Sequence, residues 1–437
     1  VSAADGRAGV WWLSPAGAVL LVVPATLVLA VFFDDAYFRQ SWGTPKVLTP
    51  ATAWLFALGA ALFCLGALWP LLRSPASAAG GWPQLTAAQR SRLRRAATVV
   101  FRLTVVGYLA MAAAGVARGA RPAQLLTVLT DQDAFDSTLR LQFAPVTGVT
   151  TLTQLGIAYV VLAAVLLSSG RDRGLELRLA LVLFLALLRT YFLTERLAVL
   201  ELLIPLVAVA ALAISYRAGR IPARLVQLAP FLLVPAVVAV FSAFEYSRSW
   251  VFYSQHRGGS FVQFALDRLA GYYGTAYNNG QLALLHDEGG SVPYGSIEGF
   301  WTAPGIAQLH LYTLLTGRSE PDDFSTLLQQ YGNPEFNSPG GVAIPFLDYG
   351  TVGGLAFFLV VGSLLGLAYR ACCDGHLLAV LLYPVLATGL FEMPRYLYWG
   401  QGRVLPTLLA LLLTWWYVSR ARPPRPTSPR PTLRSTT

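Results

Sequence analysis

Arginine carries the chemistry that this sequence offers. Arg189, Arg196, Arg257, Arg395 and Arg403, together with Arg140 and Arg248, fall at the ends of apolar runs or in the segments joining them, with Glu195, Glu245 and Glu392 among them. A guanidinium stays charged at low dielectric and presents a planar fork of donors, so several converging at one membrane surface suit a phosphate or a diphosphate. Charge at such a place is costly and is a functional hypothesis by default. The densest instance is FEMPRYLYWGQGR at 391–403, where Glu392, Arg395 and Arg403 share a short turn with Tyr396, Tyr398 and Trp399. Two arginines, a carboxylate and three aromatic rings exceed what a turn requires. Glu195 and Arg196, in RTYFLTER at 189–196, have two readings: a local ion pair closing two helices, or part of the same anion site.

Other chemistries are disfavoured. His256, His286, His310 and His376 show neither H-x-x-x-H nor H-E-x-x-H spacing, and Cys64, Cys372 and Cys373 give no tetrahedral pattern and no disulfide framework, so neither a metal nor another cofactor is expected. No phosphate-binding G-x-x-x-x-G-K-[ST] loop or G-x-S-x-G elbow occurs. Two acidic pairs, Asp34–Asp35 and Asp131 with Asp133, have the look of the first-loop carboxylates of GT-C-type glycosyltransferases, against the plainer reading of surface charge.

These residues must be positioned by a membrane protein. The chain has 437 residues, 55% hydrophobic and only 12% charged, with a mean hydropathy of +0.55, about half the charge of a soluble domain. Apolar runs of spanning length predict about ten transmembrane helices, near 15–33, 51–72, 98–117, 150–169, 175–190, 197–215, 229–245, 343–368, 377–391 and 404–418. The first reads as a retained span rather than a cleaved signal. The run from 175 to 214 would be about 60 Å as one helix, so it must turn back near 189–196. Arginines in 73–95, 170–178, 216–228 and the tail fall on one side. By the positive-inside rule that side, with both termini, is cytoplasmic. The excess of +10 is then topology, and nucleic acid is not a partner.

The expected fold is an all-α polytopic membrane protein: seven helices in 1–245, a large extracytoplasmic loop at 246–342, three more helices in 343–418, and a disordered basic tail at 419–437. The loop is rich in aromatic residues, Gly, Asn and Gln, a composition suited to carbohydrate or to an aromatic belt, and its stretches 260–287 and 305–316 predict short amphipathic helices lying along the interface.

Three stretches together resemble the bacterial oligosaccharide repeat-unit polymerases, the Wzy or O-antigen polymerase type. They are WLSPAGAVLLV at 12–22, TERLAVLELLIPL at 194–206, and NPEFNSPGGVAIPFLDYGTVGGLAFFLVVGSLLGLAYR at 333–370, in which Asn337, Asp348, Tyr349, Gly350 and Gly353 look like the family's loop-to-helix run. Read without the family, the glycines permit close helix approach and Asp348 suits the start of a span, a structural role. His256 in QHRGG departs from the histidine motif of the O-antigen ligase branch, which disfavours a ligase.

The resemblance implies metal-independent glycosyl transfer at the outer face of the bacterial plasma membrane. A glycan on undecaprenyl diphosphate would be the donor, and a hydroxyl of a second lipid-linked repeat unit the acceptor. Arg196, Arg395 and Arg403, with Arg189 and Arg257, would neutralise the departing diphosphate. Glu195 or Glu392, then His310, would accept the proton, while Tyr396, Tyr398, Trp399 and Asn337 would hold sugar. Implied partners are the lipid-linked donor and acceptor, membrane lipid, and a chain-length regulator or flippase; no nucleotide is required. Three alternatives stand: a transferase using polyprenyl phosphate sugars with Asp34 or Asp35 as base, an O-antigen ligase, and a flippase or exporter of lipid-linked oligosaccharide.

Overall fold

The computed structural model describes residues 9–73, 81–124, 127, 137–144, 146, 148–193, 197–216, 220–246, 250, 253–254, 259–286, 292–320 and 324–420. Glu195, Arg196, His256, Arg257, Arg248, Asp131, Asp133 and the tail beyond Arg420 lie outside the described residues, as does the side chain of Arg140. Among the described residues the regular elements are helical and no strand forms. In chain order the α-helices are α1 (Pro15–Phe32), α2 (Asp35–Trp42), α3 (Pro50–Arg73), α4 (Ala87–Ala117), α5 (Ser137–Gln142), α6 (Leu155–Ser168), α7 (Arg173–Leu193) and α8 (Leu197–Ser215). They continue with α9 (Arg220–Glu245), α10 (Phe261–His286), α11 (Glu298–Trp301), α12 (Leu311–Thr316), α13 (Phe324–Tyr331), α14 (Ile344–Cys373), α15 (Leu377–Glu392) and α16 (Leu405–Ser419).

Seven of these are long and apolar enough to cross a membrane: α1, α3, α4, α6 with the turn before it, α8, α9 and α14. The shorter α15 and α16 are also apolar. The remaining run expected from the sequence is α7, set apart from the seven by Arg173, Glu176, Arg178 and Arg189.

Local sequence explains where the helices begin. Ser14 caps α1 by accepting from the Gly17 amide at 3.1 Å, and Pro15 follows where its missing N–H costs nothing. Thr86 and Gln89 form a reciprocal capping box, so α4 starts well before the apolar run at 98–117. Arg90, Arg92, Arg94 and Arg95 are therefore helical, not loop residues. Thirty-one residues make about 46 Å of helix, more than the bilayer core needs, and the arginines sit on the surplus. Arg92 donates to the Tyr417 carbonyl at 2.9 Å and Arg94 pairs with Asp172.

Packing follows from residue size. LGIAYVVLAAVLL in α6 is apolar on every side and is buried on every side from Leu155 to Leu166, with other helices around it. α3 and α14 meet along glycines: a Cβ on Gly66 would stand 2.2 Å from the Leu359 carbonyl oxygen, one on Gly362 2.1 Å from that of Phe63, and one on Gly366 2.4 Å from that of Ala67. Gly362 and Gly366 form a G-x-x-x-G pair, the pattern by which backbones approach where lipid leaves van der Waals contact as the main attraction.

In the segment 246–342 the helix expected over 260–287 forms, but it is packed among other elements rather than being a short surface element. Phe261–His286 is a single 26-residue helix, and its second half, from Gly271 to Leu282, is largely buried. Gly271 and Gly274 rest on Trp42, where a Cβ would stand 2.8 and 3.0 Å from the indole. Asn278 accepts from the amides of Val47 and Leu48 at 2.7 and 3.0 Å, and Asn279 donates to the carbonyls of Phe336 and Ser338 at 2.7 and 3.0 Å. α10 is thus a pillar wedged against α1, tying both strands of connecting chain to itself. Of the second stretch, only Leu311–Thr316 is α-helical.

Candidate functional site

The glycines of NSPGG place the arginine turn. α15 ends at Glu392, and the amides of Arg395 and Tyr396 turn back onto its carbonyl, both at 2.8 Å; Pro394, lacking an N–H, supports the stop. Gly340, at φ +80°, donates to the Arg395 carbonyl at 3.1 Å, and a Cβ on Gly341 would stand 2.3 Å from the Tyr396 carbonyl carbon. Only bare backbone fits there.

Arg395 is held on three sides. Its Nη1 donates to Glu392 Oε2 at 3.1 Å and its Nε to Ser338 Oγ at 3.2 Å, while the rings of Tyr272, Tyr273 and Tyr396 lie 5.5, 6.0 and 5.1 Å from the guanidinium carbon. Glu392 is only 3% exposed. Beside it stands Glu201 of α8, 2% exposed, whose Oε1 lies 3.7 Å from Arg403 Nη1. Arg189, at the end of α7, donates to Thr153 Oγ1 at 3.0 Å and acts on Glu201 through its charge. Tyr398 closes on Glu201 from behind; burial and that carboxylate push its hydroxyl well above the usual range.

Arg189, Glu201, Glu392, Arg395 and Arg403 all line one cavity of about 1270 Å³, with Tyr272, Tyr273, Glu335, Asn337 and Tyr396. Ordinary small-molecule pockets span roughly 300–1,000 Å³, so this one is large. Most of the rest of its wall is apolar, with Leu21, Val22 and Ala25 of α1, Leu203, Ile204 and Val207 of α8, and Leu233, Val234, Val237 and Phe241 of α9. Glu335 is engaged elsewhere, accepting from Arg268 Nη1 at 2.7 Å and from Tyr253 at 3.0 Å. Arg189, Arg395 and Arg403 thus stand with Glu201 and Glu392 at the polar end of the cavity. An anionic headgroup with an apolar tail matches both halves of such a cavity.

A strap steadies the Arg403 side. Asp348 accepts from the amides of Tyr294 and Gly295 at 3.0 and 3.1 Å and from that of Ser296. The strap it fixes crosses the 400–402 backbone, where a Cβ on Gly299 would stand 2.9 Å from the Gln401 carbonyl carbon and one on Gly400 2.6 Å from the Ser296 carbonyl oxygen. Asp348 is accordingly a structural brace. Glu298 on the strap is pushed up by burial, with Arg403 pulling it back.

Several expected residues are not brought together here. Tyr398 is fully buried behind Glu201, and Trp399 turns into the bundle, donating from Nε1 to the Leu386 carbonyl at 2.8 Å and lying parallel to Phe63 at 6.2 Å. Neither ring lines the cavity, whereas Tyr396, Tyr272 and Tyr273 do. His310 is exposed at φ +47° ahead of α12 and is not part of the lining. Asn337 does line it, with the Tyr396 hydroxyl at 3.5 Å from its Oδ1. Asp34 caps α2 by accepting from the Tyr37 amide at 2.8 Å, and Asp35 accepts from Arg39 at 2.8 Å, which with the Lys46 amide holds its carboxyl below the usual range. Both acids of the alternative transferase site are thus committed to structure. Among the described residues no group of three or more His, Cys, Asp or Glu side chains is arranged to hold a metal.

The structure adds Glu201 and Arg268. Glu201 is a lone acid inside LAVLELLIPL, a signal present in the sequence. Arg268, 7% exposed and packed on Phe336, Tyr253 and Tyr272, gave none, because it sits in what reads as the polar face of an amphipathic helix. Compared with protein-family models, curated proteins and solved structures, the chain finds no match.

Proposed function

We propose that this protein is a membrane glycosyltransferase that polymerises undecaprenyl-diphosphate-linked oligosaccharide repeat units at the outer face of a bacterial plasma membrane. The observation that carries this reading is the two-part cavity: Arg189, Arg395 and Arg403 gathered at one end, an apolar trough between α1, α8 and α9 leading away from them. The arginines compensate the diphosphate as it leaves the anomeric carbon, in a partly desolvated site where each such donor is worth about 3–4 kcal/mol. The trough takes the lipid, and Tyr272, Tyr273, Tyr396 and Asn337 meet the sugar. The diphosphate linkage supplies the driving force, so neither nucleotide nor metal enters. The resemblance to the Wzy type leads to the same reaction.

In this reading α1, α3, α4, α6, α7, α8, α9, α14, α15 and α16 are ten passes, both termini are cytoplasmic, and the 391–403 turn faces outward. The basic stretches near 90–95, 171–178 and 220–224, which fall at the other ends of these helices, support that orientation. The test is reconstitution in liposomes with a lipid-linked repeat unit and no nucleotide. A ladder of lengthened glycans is expected. Translocation of the lipid-linked glycan without lengthening overturns the reading in favour of a flippase.

A further inference from the structure

We propose that Glu201 is the catalytic carboxylate that accepts the proton of the attacking sugar hydroxyl, and that the bound diphosphate releases it for this task. The assignment rests on the glycosyl-transfer reading above. Among the described residues three carboxylates line the cavity, and their surroundings differ. Glu335 is engaged by Arg268 and Tyr253, and Glu392 Oε2 is bonded by Arg395 at 3.1 Å. Glu201 is 2% exposed, yet among the described residues no hydrogen bond reaches its buried Oε1, with the Tyr398 hydroxyl beside the carboxylate. Its ion partner, Arg403, stops at 3.7 Å, beyond hydrogen-bond range. A buried acceptor left without a donor in a native fold calls for an explanation, and a proton received during turnover is one.

The arginines supply the timing. In the unliganded site Arg403 and Arg189 face Glu201 and offset its carboxylate charge, with the Tyr398 hydroxyl and Glu392 beside it. A diphosphate is the stronger anion and draws both guanidiniums onto its own oxygens. Glu201 then keeps its negative charge with less compensation, next to Glu392, and becomes more basic at the moment the donor is in place. The acceptor's O–H bond breaks and the proton passes to Glu201 Oε1. The oxygen's electron pair forms the new bond to the anomeric carbon, and the bond from that carbon to the diphosphate breaks, its pair leaving on the phosphate oxygen. When the lipid diphosphate departs, the returning guanidiniums expel the proton to water.

The experiment compares wild type, Glu201→Gln and Glu201→Asp in the same vesicles, reading lengthening kinetics across pH and binding of undecaprenyl diphosphate as the probe. Glu201→Gln is expected to lose about 10²–10⁴-fold in kcat while probe affinity stays within about threefold of wild type. It also loses the limb of the kcat profile on which activity rises with pH. Glu201→Asp, which keeps a carboxylate, recovers part of kcat and retains that limb, and so controls for folding. Glu201→Gln with wild-type kcat, or with a rate loss matched by lost probe binding, or with the pH limb intact, overturns the assignment and leaves the polymerase reading standing. Wild-type vesicles that bind the probe but never lengthen a glycan overturn both.

Discussion

Arg395 and Glu392 offer the sharpest separation of what holds the site together from what works in it. Arg395→Met removes the bond to Glu392 at 3.1 Å, the bond to Ser338 at 3.2 Å and the positive face against three tyrosines. It leaves a carboxylate that is only 3% exposed without its partner. Breaking a buried pair from one side costs about 3–5 kcal/mol, mostly because the surviving charge is stranded. Replacing both members should therefore return much of the loss. In Arg395→Met/Glu392→Gln the stranded charge is gone, and the amide at 392 costs about 1–3 kcal/mol at most if it finds no partner. The double variant is expected to be about 2 kcal/mol more stable than the single. Neither variant should lengthen a glycan, since both lack the guanidinium. Equilibrium unfolding in mixed micelles measures the first expectation and the liposome assay the second. A double variant no more stable than Arg395→Met refutes the stranded-charge argument; one that regains turnover refutes the role of Arg395 on the diphosphate.

Three further outcomes follow from the geometry. Gly341→Ala places a methyl 2.3 Å from the Tyr396 carbonyl carbon and displaces the arginine turn, so probe affinity and turnover fall at least about tenfold while membrane insertion stays normal, as read by fractionation and size exclusion. Trp399→Phe loses the bond to Leu386 and about 1 kcal/mol of stability with KM unchanged, whereas Tyr396→Ala raises KM for the lipid-linked acceptor; the reverse pattern would restore Trp399 as a sugar platform. Burial raises the Glu298 carboxyl, so below that raised pKa it is neutral and ceases to compete for Arg403, and above it the anion competes. Affinity for undecaprenyl diphosphate should accordingly decline as pH rises through that pKa, and Glu298→Gln should flatten this step in a pH series of binding isotherms.

How far the sequence could be read depended on whether a residue's role showed in its neighbours along the chain. The 391–403 turn was legible because charge beside long apolar runs stands out, and Arg395 and Arg403 do line the cavity. The aromatics of the same turn were not: Tyr398 and Trp399 sit beside the arginines in sequence, but the turn folds them inward against Glu201 and Leu386. The most misleading stretch was GYYGTAYNNG, whose glycines and amides suit a carbohydrate loop. Here the glycines admit Trp42 and the amides clip two distant backbones, contacts with partners more than fifty residues away. Periodicity cannot distinguish a solvated polar face from one that packs on other polar groups, and that hid Arg268 as well.

The order in which the chain is made gives the α7–α8 pairing a consequence for biogenesis. Arg403 is translated two hundred and two residues after Glu201, a delay of about 10–40 s at ordinary ribosome speeds. For that interval the nascent acid has neither Arg403 nor Arg395 to balance it. Arg189, twelve residues upstream on the helix that packs against α8, emerges with it. The hairpin therefore leaves the ribosome carrying its own counterion, and the later arginines arrive to a carboxylate already chaperoned.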